Sequence, residues 1–179
     1  EAAKDKGFVV LKLTTTLDPH FLQFIEGKKE NTNFKRVDAD TPDQLIEKEN
    51  VIESVLNEEQ TNTVNDLFKN TVNDERTSVL VKAMTPNDSP VVITRPEFMR
   101  RMKDMAHLSG DNYMSNMPDM YNVVVNANHP TVSTVLNEND QTKQKEAVKQ
   151  LYDLALLQQG MLKGEALTKF INRSFELIK

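Results

Sequence analysis

The chain has 179 residues, 38% hydrophobic and 27% charged, with a formal net charge of -5. That balance is too apolar for wholesale disorder and too charged for a membrane protein, so the chain should fold in water as one domain, or one domain with part of a neighbour. The acidic excess, with cations dispersed except for Arg100, Arg101 and Lys103, speaks against duplex nucleic acid as a partner.

No cysteine is present, which removes disulfides and thiolate metal sites and fits a reducing cytosol. No apolar run approaches the roughly 20 residues that span a bilayer, and no basic-then-apolar leader opens the chain. A cytoplasmic location without a membrane partner is expected. The opening residues from Glu1 read as the tail of a helix, as if cut from something longer.

Residues 7–38 read as a strand, helix, strand unit, the remnant of a truncated α/β domain. Phe8-Val9-Val10-Leu11 has strand composition, Asp18-Pro19 starts a helix bearing Phe21, Leu22, Phe24 and Ile25, Gly27 stops it, and Asn33 to Asp38 reads as extended. A short helix from Thr41-Pro42 through Leu45 and Ile46 lies in an acidic connector, where the domain boundary is placed: 1–40 and 41–179. Val64, Leu67, Phe68 and Val72 then form one helical stripe. Ser78 to Met84 and Val91 to Thr94 are expected to pair as a hairpin across Pro86-Asn87-Asp88-Ser89-Pro90. A helix from Thr94-Arg95-Pro96-Glu97 to about Leu108, a strand centred on Val123, Val124 and Val125, a helix opened by Asn128-His129-Pro130, and helices over 141–159 and 165–178 complete an α/β (α+β) reading: a small mixed sheet packed with helices.

The candidate chemistry is sparse. His20, His107 and His129 have no paired ligand spacing, and His129 at a helix start suits capping. Asp38 with Asp40 and Glu47 with Glu49 could form acid-base pairs but read better as a solvated charge run. Neither a phosphate loop nor a serine elbow exists. Catalytic, cofactor and metal residues are therefore expected to be none, with a small α/β enzyme domain using an unrecognised carboxylate site as the alternative.

Methionines carry more information. Met99, Met102 and Met105, with Phe98, would form a soft strip on one helix face, adaptable because thioether side chains are unbranched and polarizable. Met114, Met117 and Met120, near Tyr113, fall in a segment whose Gly, Asn, Ser and Pro content disfavours a stable helix. Core filling and an exposed contact element both remain open for these residues. In the closing helices, Leu151, Leu154, Ala155 and Leu157, then Leu167, Phe170, Ile171, Phe175 and Ile178, make stripes wider than one neighbour covers. A two-fold intermolecular four-helix bundle would cover them, and packing against the sheet is the competing account.

Four stretches in order carry a resemblance: Phe34-Lys35-Arg36-Val37-Asp38-Ala39-Asp40; Phe98-Met99-Arg100-Arg101-Met102-Lys103-Asp104-Met105; Asn126-Ala127-Asn128-His129-Pro130; and Leu156 through Leu167 running into Phe170-Ile171-Asn172-Arg173-Ser174. Over nearly its whole length the chain resembles the C-terminal third of heat-shock protein 90 chaperones of the bacterial HtpG type. The resemblance implies a homodimer formed by the last helices, an ATP-driven clamp, and contact with unfolded or partly folded clients through the stretch from Phe98 to Met120. It makes 1–40 the end of the middle domain and 41–179 the C-terminal dimerisation domain. ATP and magnesium would bind upstream, so none of these residues is assigned to nucleotide and the piece alone should be inert as an ATPase. The closing Glu176-Leu177-Ile178-Lys179 lacks the acidic pentapeptide by which eukaryotic members recruit helical-repeat co-chaperones, which are not expected here.

Overall fold

The computed structural model describes the chain except for residues 1, 6, 16, 42–44, 46–51, 178 and 179 and the side chains at 2, 114 and 177. Among the described residues the elements run α1 (Ala2–Asp5), α2 (Asp18–Lys28), α3 (Glu58–Val72), β1 (Thr77–Lys82), β2 (Val91–Thr94), α4 (Glu97–Ser109), α5 (Asn112–Ser115), β3 (Tyr121–Asn126), α6 (Pro130–Leu136), α7 (Gln141–Gln158) and α8 (Gly164–Leu177). They divide into two compact units: residues 1–48 with 95–120, and residues 49–94 with 121–179.

The second unit is built on β3. Val123, Val124 and Val125 are fully buried, so this strand needs cover on both faces and pairing on both edges. The sheet order is accordingly β1-β3-β2, with β1 parallel and β2 antiparallel to β3. This corrects the expected β1–β2 hairpin. The turn-like 86–90 segment does reverse the chain, but the doubly apolar strand takes the centre, leaving the edges to half-exposed β1 and four-residue β2.

Tyr121, Val123 and Val125, flanked by Val91 and Ile93, meet Val64 and Phe68 of α3, Val132 and Val135 of α6, and Val148, Leu151, Tyr152 and Ala155 of α7. Each large side chain so buried contributes about 1.5–3 kcal/mol of transfer free energy.

Local chemistry sets the helix ends. Asn57 and Gln60 form a reciprocal capping box on α3, at 2.9 and 3.0 Å. His129 Nδ1 accepts from the Thr131 N–H at 3.1 Å, the capping role expected of it, and Asp140 caps α7 through the amides of Thr142 and Lys143. Gly160 (φ 65°) takes the left-handed turn after α7, where its N–H donates to Leu157 O and that of Met161 to Leu156 O.

Asn128 ties the β3–α6 turn to two distant segments. Its Oδ1 accepts from Val55 N–H at 2.9 Å, and its Nδ2 donates to Glu53 O at 2.9 Å and Met84 O at 3.1 Å.

The first unit contains α1, α2, α4 and α5. The expected strands at 8–11 and 33–38 are not there, and only the intervening helix of that unit is. Among the described residues neither segment pairs with a strand, and Val9 is 89% exposed. Most of the expected 41–46 helix lies outside the described residues. Of α4 only Ala106 is fully buried, so charge rather than apolar area anchors this helix. Arg101 holds Glu26 of α2 through both carboxylate oxygens, at 2.7 and 3.1 Å, and its Nε donates to Glu97 at 2.9 Å. Arg36 pairs with Asp104, and Arg100 with Asp38.

Candidate functional site

Two surfaces emerge, one in each unit. On α4 and the segment after it, Phe98 (72% exposed), Met105 and Met120 are exposed, and so is Tyr113 of α5; Met99, Met102 and Met117 are half-buried. The side chain of Met114 lies outside the described residues. The strip is therefore split. Met99 and Met102 lean on their own unit, while Phe98 and Met105 face outward. Lys103 fastens the 117–120 segment back to α4, its ammonium donating to Met117 O at 2.9 Å and Asp119 Oδ1 at 2.6 Å.

On the closing helices the expected stripe also divides. Leu151, Ala155 and Phe170 are buried within their own unit, and Leu167 is half-buried. Leu154 (45%), Leu157 (42%), Ile171 (42%) and Phe175 (63%) remain exposed, while Ile178 lies outside the described residues. The helical period explains the split: Leu151 and Ala155 stand one turn apart on the core face, and Leu154 falls between them on another.

An ionic lock sets the orientation of α8 against α7. Asp153, nearly fully buried, accepts from Arg173 at 2.7 Å and Lys149 at 3.0 Å, and Arg173 also donates to Gln150 Oε1 at 2.7 Å. Sequence reading missed this lock. Its signal was Asp153 on a core-facing position beside Tyr152, with an arginine on the next helix.

The carboxyls that depart from their ordinary values, Asp18, Glu26, Asp74, Asp119 and Glu165, all depart downward, chiefly through hydrogen bonds from Thr15, Arg101, Arg76, Lys103 and Lys169 respectively. Such groups are held ionised rather than poised as proton donors. Burial pushes the Tyr152 phenol up, with Tyr121 as its hydroxyl neighbour at 3.4 Å. Asp38 is taken by Arg100, and Glu47 and Glu49 lie outside the described residues. Among the described residues no group of three or more His, Asp or Glu could hold a metal ion, and no helix is long and apolar enough to cross a membrane.

The family model described as Hsp90 protein matches residues 1–179. The chain belongs to the Hsp90 family. Among curated proteins, this Hsp90-family chain is 33% identical to the chaperone protein htpG of Bacteroides fragilis strain 638R, with 99% of the chain and 36% of that protein covered. It is 31% identical to HtpG of Bacteroides thetaiotaomicron, with 99% and 36% covered, and 32% identical to HtpG of Porphyromonas gingivalis, with 98% and 36% covered. The chain thus spans about a third of the length of these Hsp90 relatives, which are named as chaperones.

Proposed function

We propose that this chain is the dimerisation and client-contact region of a longer ATP-dependent chaperone that assists protein folding. The observation that carries the reading is apolar surface held out on anchored helices: Leu154, Leu157, Ile171 and Phe175 beside the Asp153–Arg173 lock, and Phe98, Met105 and Met120 on the charge-anchored α4 segment. Four side chains about half exposed, at roughly 1.5–3 kcal/mol for full burial, supply about 6–12 kcal/mol for two copies. An association cost of about 4–15 kcal/mol lies in the same range, so a homodimer through α7 and α8 is feasible and concentration-dependent.

Residues 1–40 then close the middle domain and 41–179 form the dimerisation domain. Nucleotide and magnesium belong to parts of the longer protein outside this chain, which supports no catalysis by itself. A cytoplasmic location follows from the same reading. Clients are unfolded or partly folded proteins, and neither nucleic acid nor membrane is proposed as a partner.

The test is sedimentation of the chain with and without a labelled, permanently unfolded polypeptide. A dimer boundary that also carries the label is expected. A lone-chain boundary removes the pairing half of the proposal, and free label removes the client half.

A further inference from the structure

A shallow cleft of about 40 Å3 lies between the start of α4 and the 117–120 segment, with Met99, Met117, Met120 and Pro96 among its walls. Small-molecule pockets run to roughly 300–1,000 Å3, so this space admits the tip of a side chain and not a cofactor. Arg95, Arg100, Lys103 and Asp119 stand around it. Arg100 is engaged by Asp38 and Lys103 by Asp119, but Arg95 makes no ion pair with any described residue. The cleft's walls carry three cationic side chains against the one carboxylate of Asp119, in a chain that is acidic as a whole. Asp119 is held below the ordinary carboxylate range by the Lys103 hydrogen bond, with the fields of Lys103, Arg95 and Arg100 adding to it.

Thioether walls repack around many shapes and discriminate little between apolar sequences. A guanidinium outside a direct ion pair is directional, and it rewards a carboxylate while rejecting an ammonium. We propose that this cleft selects unfolded segments in which an acidic side chain sits among apolar ones, the carboxylate meeting Arg95 and its apolar neighbours meeting Met99 and Met120. This rests on the client-contact reading of the same segment and names the chemistry it prefers.

The test uses three labelled peptides with the same leucine and phenylalanine positions, carrying glutamate, glutamine or lysine between them, titrated with the whole chain by fluorescence anisotropy. The glutamate peptide should bind about three- to fivefold tighter than the glutamine peptide, with lysine weakest, and the gap should shrink as salt rises. Arg95→Glu, with circular dichroism unchanged, should reverse the order. Equal affinities for all three peptides would overturn the charge preference and leave the client role standing. No binding by any peptide would overturn both. A preference that persists in Arg95→Glu would overturn the assignment to Arg95.

Discussion

Arg173 on α8 sets its Nη2 2.7 Å from Oδ2 of Asp153 on α7, and the Asp153 side chain is only 3% exposed. The pair does more than join two helices. Gln150 accepts from Arg173 Nε and donates to the Ser174 hydroxyl at 2.9 Å, so the rotation of α8 about its axis is specified, and with it the direction in which Ile171 and Phe175 project.

Breaking one side of this pair should be costly because Arg173, its side chain 18% exposed, is left without its counter-charge. Asp153→Ala is expected to destabilise the chain by about 3 kcal/mol in urea denaturation. Lys149→Ala, which removes only the 43%-exposed member, should cost under about 1 kcal/mol. Equal losses would contradict the asymmetry.

Asn128 stands to Val55, Glu53 and Met84 as a single buried amide bonded to three backbone groups. Asn128→Ala strands an N–H and two carbonyls, and a loss of about 2–3 kcal/mol is expected from the same denaturation measurement. A change within about 0.5 kcal/mol would show that water replaces the amide freely.

Glu26 supplies a pH signature. Its carboxyl is held below the ordinary glutamate value of 4.5, first by the Arg101 hydrogen bond and further by the Phe34 amide. A depressed folded value means that the stabilisation is present above 4.5 and is lost as pH falls through the lower folded value. The Phe34 amide resonance should therefore titrate below 4.5, and Arg101→Met should move that titration upward. A midpoint unmoved by Arg101→Met would contradict the coupling.

The helices were legible because their determinants are local: the Val64–Phe68 stripe, the proline-opened starts and the closing glycines each act within a turn or two. The sheet order was not, since the turn composition between β1 and β2 says nothing about Val123–Val125 arriving later in the chain to divide them. Phe8-Val9-Val10-Leu11 misled for a related reason: strand composition makes a strand only where a partner exists. The anchoring of α4 joins positions 62 to 75 apart, such as Arg100 with Asp38 and Arg101 with Glu26, and no local pattern announces it. In the closing helices the apolar positions were readable, but which of Leu151 and Leu154 faces inward depends on where α7 rests on the sheet.

For the contact strip, Met102→Ser with Met117→Ser should weaken capture of an unfolded client severalfold while the mass of the chain in solution stays unchanged. Both residues are half-buried, so a modest drop in thermal stability accompanies the change, and the Lys103 bond to Met117 is kept because it uses the backbone. Unchanged client affinity would remove the client role from these positions.

The most direct measurement is the molar mass of the whole chain by light scattering behind size exclusion, beside that of Leu154→Asp with Ile171→Asp. Twice the chain mass for the parent sequence and a single mass for the variant, with its helical signal retained, is the expected result. A parent sequence that runs as a lone chain at micromolar concentrations would contradict pairing through α7 and α8.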